Sequence, residues 1–251
     1  MSVSISGRAN WLADKHLQRL LAALAEGGEE ARIAGGAVRN TLMGQPVADV
    51  DIATTCLPQE IIRRAEAEGF KPVPTGIEHG TVTVVAGGKP YEITTLRADV
   101  ETDGRRAKVS FGRDWKLDAE RRDFTINALY AEADGRVLDL VGGIADIEAR
   151  RLRFIGDAEA RIREDYLRIL RFFRFFAWYG EGRPDAEGLK ACARLKDGLE
   201  KLSAERIWSE LKKTIVFDAQ VRHHHHFGSC CVTRSLHGGM NLIQVPECLE
   251  H

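Results

Sequence analysis

A glycine turn followed by a strand with two spaced carboxylates most constrains the fold of this chain. Gly35 and Gly36 open a short predicted helix, and the run DVDI at positions 49–52 reads as a strand. Side chains alternate along a strand, so Asp49 and Asp51 share one face while the two apolar residues enter the core. Two carboxylates beside a turn that admits phosphate suit Mg²⁺ and a nucleoside triphosphate. The pattern therefore predicts nucleotidyl transfer.

Two further side chains extend this candidate site. Glu92 lies on a predicted hairpin strand between Tyr91 and Ile93, so it points away from the face that these two residues bury. It is the predicted third carboxylate of a two-metal mechanism. The glycines let backbone N–H groups approach phosphate, and Arg39 adds a fixed positive fork. The alternative is a solvated strand face next to a structural turn.

Composition narrows the class of protein. The chain has 251 residues and a formal net charge of −1, so bulk charge does not indicate a nucleic-acid binder and RNA contact needs a local patch. No apolar run of transmembrane length and no signal peptide are visible, which predicts no membrane partner. Five cysteines without framework spacing fit a reducing compartment. We expect a cytoplasmic protein that does not bind DNA.

Hydrophobic periodicity and turn residues give a coarse order of elements. Helices are predicted at 10–26, 37–43 and 58–68, and strands at 31–34, 49–53, 81–86 and 91–96. Residues 98–118 are polar and without period, which predicts a mobile loop. From about residue 119 the chain is expected to be mainly helical, with one short strand at Val137–Leu140.

A second motif, RRDFTINAL at positions 121–129, places polar side chains at short intervals in an apolar stretch. It predicts that Arg122 binds phosphate or ribose, and that Asp123 and Asn127 orient the nucleotide or the backbone. The alternative is a capped helix start with surface arginines.

A third motif spans residues 163–176, which read as one helix that is apolar nearly all round and therefore buried. Asp165, Arg168, Arg171 and Arg174 recur every three residues, so the charged stripe drifts by about 60° per step. The predicted role is base selection by Asp165 with Arg168, because an aspartate accepts from an exocyclic amine and an arginine donates to ring acceptors. That pair favours C and A over U and G. The alternative is an internal salt-bridge network.

With these motifs the chain resembles the class II tRNA nucleotidyltransferases, or CCA-adding enzymes, and the related bacterial poly(A) polymerases. The resemblance covers about residues 31–213 in the order of the family. It rests on the stretches GGAVRNTLMG, DVDIATT, HGTVTV, YEITTLR, RRDFTINALY, GGIADIEARRLRFIGDAEARIREDYLRILRFFRF and SAERIWSELKK.

The resemblance implies an α+β fold. A polymerase-β-like nucleotidyltransferase head with a small mixed sheet would occupy residues 1–140, and an all-helical neck for base recognition would occupy 141–218. It implies catalytic roles for Asp49, Asp51 and Glu92, with Mg²⁺ on the two aspartates. The implied nucleotide-binding residues are Gly35, Gly36, Arg39, Arg122, Asp123, Asn127, Asp165, Arg168, Arg171 and Arg174.

The implied activity is template-independent addition of CMP and AMP, from CTP and ATP, to the 3′ end of tRNA. A poly(A) polymerase and an NTP-binding module without productive RNA binding are the alternatives. Residues 98–118 would match the flexible loop of the family. The chain departs from the family at Asn40, where an aspartate is usual, and at 219–251. That histidine- and cysteine-containing tail is expected to be disordered or vector-derived, with a zinc site as the alternative.

Overall fold

A seven-stranded mixed sheet organises the first part of the chain in the computed structural model, which describes residues 3–98 and 110–221. The strands are β1 Ala31–Ala34, β2 Asp51–Thr54, β3 Lys71–Gly76, β4 Thr81–Ala86, β5 Lys89–Thr95, β6 Arg97–Ala98, β7 Ser110–Phe111, β8 Leu129–Ala131 and β9 Val137–Asp139. The sheet order is β3-β4-β5-β2-β1-β8-β9, and β6 pairs with β7 separately. Strands β2 and β5 run parallel, while the other described neighbours are antiparallel.

Helices flank the sheet and make up the described chain beyond it. The α-helices are α1 Lys15–Leu24, α2 Gly36–Leu42, α3 Pro58–Ala67, α4 Trp115–Glu120, α5 Gly143–Glu148, α6 Ala158–Glu164, α7 Leu167–Tyr179, α8 Ala186–Arg194 and α9 Ala204–Val221. Short 3₁₀ turns occupy Asn10–Ala13, Glu26–Gly28, Ile77–His79, Thr125–Asn127 and Lys196–Lys201. The α+β expectation is confirmed. Among the described residues, no helix combines the length and apolarity that crossing a bilayer requires.

One row of side chains across the sheet fixes which face carries the core. Ile33, Ile52, Ile93 and Val82 are successive cross-strand partners on β1, β2, β5 and β4, and none is more than 1 % exposed. They pack in the same core as buried leucines of α1. Burying each such side chain stabilises the fold by about 1.5–3 kcal/mol. Because side chains alternate, the adjacent row that contains Asp51 lies on the opposite face.

The helical part shares its core with the sheet. The Phe124 ring lies 4.9 Å from Phe154 and 5.4 Å from Phe175 between centroids, and Phe154 stacks on Phe172 at 5.3 Å. The first two of these rings precede α6, whereas Phe172 and Phe175 belong to α7. Aromatic packing of this kind contributes beyond area burial and fixes α7 against the first part of the chain.

Several predicted boundaries were wrong at the N-terminal end. The helix expected at 10–26 is a 3₁₀ turn followed by α1, because the Asp14 carboxylate accepts from the backbone N–H of His16 at 2.9 Å and starts a new helix there. Strand β2 begins at Asp51, so Asp49 precedes it. Strand β3 was not predicted, since its two prolines and partly exposed residues hide a strand pattern.

The predicted loop at 98–118 overlaps helix α4, which begins at Trp115. Asp114 caps this helix by accepting from Lys116 N at 2.7 Å, and buried Trp115 packs edge-on against Tyr130 at 5.0 Å. Tertiary packing therefore stabilises a segment whose sequence shows no period. Residues 99–109 of the expected loop, and residues 222–251 of the expected tail, lie outside the described residues.

Strand β8 also falls where a mainly helical chain was expected. Leu129, Tyr130 and Ala131 are all fully buried, so the strand shows no alternation of polar and apolar residues. It pairs with β1 and β9, and Leu129 O accepts a hydrogen bond from Gly35 N at 2.8 Å. The strand predicted at Val137–Leu140 is present as β9.

Candidate active site

Two acidic residues meet on the open face of the sheet. Asp51 on β2 is the direct cross-strand partner of Glu92 on β5, and its partner on the other side is Ala34. Facing residues on neighbouring strands lie about 5 Å apart, so the two carboxylates converge. Asp49, Asp51 and Glu92 are exposed, which leaves this acidic face open to a ligand.

The acidic face perturbs its own ionisation. Partial desolvation, followed by the charges of Glu92 and Asp49, raises the pKa of Asp51 to about 6, while Arg122 acts in the opposite direction. Because Asp51 is exposed to water, solvent screens part of this repulsion between the carboxylates. A cation placed between these carboxylates would relieve the repulsion.

The acidic residues of this face could bind Mg²⁺ only together with ligands that the described residues do not supply. Within residues 3–98 and 110–221, no three or more His, Cys, Asp or Glu side chains form a ready-made metal site. Mg²⁺ usually takes one or two protein carboxylates and completes its shell with phosphate oxygens and water. Asp51 and its neighbours fit that requirement.

The glycine turn beside the acidic face has a conformation restricted to glycine. Gly35 has φ 62° and ψ −110°, and it directly follows β1 and precedes α2. A Cβ atom there would lie 3.2 Å from both Arg122 Nη1 and Asn127 O. The turn therefore packs closely against two of the predicted nucleotide-binding residues. Gly36 is the first residue of α2.

Arg122 is oriented by a buried aspartate that sequence reasoning missed. Asp118 is 1 % exposed, and its Oδ2 accepts from Arg122 Nη2 at 3.2 Å and from the Tyr130 hydroxyl at 2.6 Å. Although burial works against it, Arg122 and Arg121 lower the pKa of Asp118 below its usual value. The missed signal is the four-residue spacing between Asp118 and Arg122, which is the spacing of a helical ion pair.

Arg39 is enclosed rather than open to solvent. It is 7 % exposed, its Nη1 donates to Asn127 Oδ1, and its Nη2 donates to Asn40 Oδ1 at 2.9 Å and to the Tyr179 hydroxyl at 2.8 Å. Its Cζ lies 4.1 Å from the centre of the Tyr179 ring. The predicted contact of Arg39 with the triphosphate stays a prediction, and the structure gives this residue a role beneath the turn.

Asp123, Asn127 and Arg171 form one connected group. Asp123 Oδ2 accepts from Arg171 Nε at 2.8 Å, and its Oδ1 accepts from Asn127 Nδ2 at 3.1 Å. Asp123 and Asn127 are both 8 % exposed. The second motif is thus joined to the third, although 48 residues separate Asp123 from Arg171.

The predicted single helix over 163–176 was wrong. Asp165 has extended backbone (φ −155°, ψ 106°) and ends α6, and its Oδ1 accepts from Leu167 N at the start of α7. The three-residue stripe therefore does not begin on the helix that carries Arg168. Helix α7 is also only partly buried, since Phe173 is 44 % exposed.

Asp165 and Arg168 have separate side-chain partners. Asp165 Oδ2 accepts from Arg206 Nη2 at 2.8 Å, while Arg168 Nη1 donates to Glu164 Oε2 at 2.6 Å. Both ion pairs involve partly exposed side chains, and such pairs contribute little to stability. Asp165 can therefore exchange Arg206 for a polar ligand at small cost, whereas Arg168 is also held by a hydrogen bond from its Nη1 to Arg161 O at 2.8 Å.

Arg174 lies in an internal ion pair, the arrangement that the alternative for this motif described. It is 4 % exposed, its Nε donates to Glu210 Oε1 at 2.5 Å, and Glu210 is 3 % exposed. Its Cζ lies 4.3 Å from the centre of the Phe175 ring. Glu210 on α9, which the sequence did not single out, thus neutralises a charge predicted to face the nucleotide.

A comparison with known protein families matches the part of the chain that carries the acidic face. Residues 31–153 match the poly A polymerase head domain. The match covers just under half of the chain. The matched stretch contains the acidic face, the glycine turn and the Arg122 motif, whereas Asp165, Arg168, Arg171 and Arg174 follow it in the sequence.

Relatives of the head domain extend the match into the helical part. The mitochondrial CCA tRNA nucleotidyltransferase 1 of Mus musculus is 45% identical over 205 residues, which cover 80% of this chain and 47% of that protein. The CCA-adding enzyme of Leuconostoc citreum (strain KM20) is 44% identical over 202 residues, covering 79% and 49%. The chain thus spans about half the length of these curated relatives.

Solved structures give the same result for the head domain and the helices after it. The Bacillus stearothermophilus CCA-adding enzyme in complex with CTP has a TM-score of 0.71 and 36% identity, covering 80% of this chain and 48% of that one. The Thermotoga maritima CCA-adding enzyme complexed with tRNA has a TM-score of 0.69 and 25% identity, covering 88% and 55%. The resemblance to the CCA-adding enzymes is confirmed.

Proposed function

We propose that this chain is the nucleotidyl-transferring part of a CCA-adding enzyme. The observation that carries the proposal is the convergence of Asp51 and Glu92 on an open face beside the Gly35 turn and Arg122. In the proposed reaction the 3′-hydroxyl oxygen of the RNA attacks the α-phosphorus of CTP or ATP. A new P–O bond forms while the hydroxyl loses its proton to solvent, the bond from the α-phosphorus to the bridging oxygen breaks, and pyrophosphate leaves with that electron pair.

The cofactor of this proposal is Mg²⁺, in a two-metal arrangement held by Asp51, Asp49 and Glu92. When bound, Mg²⁺ supplies positive charge that neutralises the triphosphate and activates the attacking hydroxyl. Arg122, fixed by Asp118, offers its guanidinium to the triphosphate or sugar. The ion pair with Asp118 keeps that guanidinium in one orientation, so less freedom is lost when the nucleotide binds.

Base selection is proposed for Asp165, Arg168 and Arg171. Aspartate accepts from the amine of C or A, and arginine donates to ring acceptors. The partly exposed ion pair of Asp165 with Arg206 supports this proposal for Asp165, since such a pair is replaced at small cost. Arg174, which is held by Glu210, is proposed to support α7 rather than touch the base.

The proposed partners are CTP, ATP and the 3′ end of tRNA, and the proposed location is the cytoplasm. Relatives with matching sequence are named as CCA-adding and as mitochondrial CCA tRNA nucleotidyltransferases, and solved structures of similar fold are complexes with CTP and with tRNA. Poly(A) addition, which uses ATP alone, is the second candidate from the resemblance, but no contact among residues 3–98 and 110–221 favours it.

The deciding experiment supplies CTP and ATP singly and together to a tRNA that ends before CCA. We expect two C additions with CTP alone, full CCA with both nucleotides, and no extension with ATP alone. Asp51→Asn should abolish extension, whereas Glu66→Gln, an exposed acid on α3, should leave it unchanged. Runs of A with ATP alone would establish a poly(A) polymerase, and CTP binding without product would establish a binding module.

A further inference from the structure

Helix α7 contacts the head domain through a continuous polar chain. At one end, Arg171 donates to Asp123, and at the other the Tyr179 hydroxyl accepts from Arg39. Asn127 joins the two ends, because its Oδ1 accepts from Arg39 and its Nδ2 donates to Asp123. We refer to these five residues as the Arg39–Arg171 chain. The Arg39–Arg171 chain connects Arg171 and Tyr179, which lie on different turns of α7, through three residues of the head domain.

Most of the Arg39–Arg171 chain is buried, so its bonds are costly to lose. Arg39, Asp123, Asn127 and Tyr179 are 7–9 % exposed. A buried polar group that loses its partner pays its full desolvation cost, and buried networks consequently hold one geometry. Arg39 depends most on these hydrogen bonds. Its side-chain charge is buried, and the groups that accept from it, on Asn40, Asn127 and Tyr179, are all neutral.

Tyr179 contributes in two ways to the enclosure of Arg39. Its hydroxyl accepts at 2.8 Å, and its ring lies under the guanidinium at 4.1 Å. Phe175 adds a second aromatic face at 5.3 Å. A cation held against an aromatic face away from water is stabilised by the ring quadrupole. Removing the hydroxyl alone and removing the whole ring therefore have separable effects.

The Arg39–Arg171 chain ends directly beneath the glycine turn. Arg39 N donates to Gly35 O at 3.0 Å, and a Cβ atom on Gly36 would lie 3.7 Å from Arg39 Nη2. Asn127 O lies against Gly35 and accepts from Arg122 Nη1 at 3.3 Å. A displacement of Arg39 or Asn127 thus moves the turn and Arg122 together.

We propose that Tyr179 is a positioning residue that sets the distance between the glycine turn, which takes the triphosphate, and Arg171, which faces the base. The proposal rests on the proposed function for its substrate class, a nucleoside triphosphate. In this proposal Tyr179 contacts neither the triphosphate nor the base. It acts through Arg39 and Asn127, and it lies beyond the stretch that matches the head-domain family. The positioning contact is therefore made by the helical part of the chain.

The kinetic test compares Tyr179→Phe and Tyr179→Leu with Phe173→Leu, a matched control in which an exposed ring of the same helix is removed. We expect the KM for CTP and for ATP to rise about threefold in Tyr179→Phe and at least tenfold in Tyr179→Leu. The kcat at saturating nucleotide should stay within threefold, because the reacting groups are untouched. An unchanged KM in both variants, or a fall in kcat alone, would overturn the proposal.

A second measurement does not depend on activity. Backbone amide hydrogen exchange should become faster at residues 35–39 in both Tyr179 variants and stay unchanged there in Phe173→Leu. Uniformly faster exchange throughout the protein, or unchanged exchange at the turn, contradicts positioning through Arg39 even if KM rises. If the wild-type chain transfers no nucleotide, the proposed function fails, and the exchange pattern still decides whether Tyr179 holds the turn.

Discussion

Asp51 and Glu92 face each other across β2 and β5, the parallel pair of the described sheet. The pairing places two carboxylates side by side on the face opposite the isoleucine row that anchors the core. Like charges at this distance oppose each other in the folded chain, and they do so less in an extended unfolded chain. The site is therefore predicted to cost stability until a cation binds.

Replacing Asp51 by Asn should stabilise the cation-free protein at neutral pH. The folded pKa of about 6 lies above the usual value of 3.8, so ionisation is easier in the unfolded state. Wild-type stability is expected to fall as pH rises between about 4 and 6, and to stay lower above that window. Because Asp51 is exposed, we expect a gain of only about 1 kcal/mol for Asp51→Asn at pH 7.5 and none at pH 4. Urea unfolding with EDTA measures this, and a less stable variant at pH 7.5 would refute it.

Gly35→Ala should disturb the site through crowding as well as strain. The new Cβ would lie 3.2 Å from Arg122 Nη1 in a backbone with φ 62°, so we expect a loss of about 1–3 kcal/mol in stability and at least tenfold weaker CTP binding. Gly44→Ala is the matched control, since φ is 67° there with nothing within 4 Å of the Cβ. Equal CTP affinities in the two variants, measured by calorimetry, would show that the close packing is irrelevant.

Asn40→Asp tests separately the accepting and the donating hydrogen bonds that the Asn40 side-chain amide makes. Asn40 Oδ1 accepts from Arg39, while its Nδ2 donates to Pro46 O at 2.8 Å, three residues before Asp49. A carboxylate keeps the first bond and repels the Pro46 carbonyl. We expect a nearly unchanged melting temperature, because an ion pair with Arg39 offsets the lost bond, and about threefold more Mg²⁺ for half-maximal transfer. A magnesium titration that coincides with wild type would exclude a role for Asn40 in placing Asp49.

Arg174→Met should destabilise the protein by about 3–5 kcal/mol, because it leaves the buried Glu210 with only the more distant Lys213 Nζ at 4.0 Å. The double variant Arg174→Met with Glu210→Leu should recover most of that loss and keep the ratio of CTP to ATP use. Denaturant unfolding and competition between the two nucleotides provide the measurements. A double variant that folds normally but loses base discrimination would instead place Arg174 at the base.

Local patterns predicted only part of the acidic face. Alternation in DVDI and in the β4–β5 hairpin indicated which way Asp51 and Glu92 point from their own strands, but the parallel pairing of β2 with β5, which brings the two carboxylates together, came from the structure. Helix α4 could not be predicted in the same way. Its stability comes from Asp114 and from Trp115 against Tyr130, which are contacts that sequence period does not encode.

Contacts between residues far apart in the sequence account for the other differences between the predicted and the observed site. The Arg39–Tyr179 bond joins residues 140 positions apart, and Arg174 is neutralised by Glu210 from another helix. The break between α6 and α7 is local, but it depends on the Asp165 carboxylate, which accepts from Leu167 N within an apolar pattern that continues across the break. The sequence therefore singled out Arg39, Arg174 and Asp165, whereas the partner that each one contacts is set by the folded structure.

The most direct test of the central claim is single-turnover transfer of radiolabelled CMP to a tRNA that lacks CCA. The wild-type chain, Asp51→Asn, Glu92→Gln and the control Glu66→Gln would be compared with Mg²⁺ present. We predict transfer by wild type and by Glu66→Gln, none detectable with Asp51→Asn, and a loss of at least a hundredfold with Glu92→Gln. Transfer by Asp51→Asn at the wild-type rate would contradict the assignment of this face as the catalytic centre.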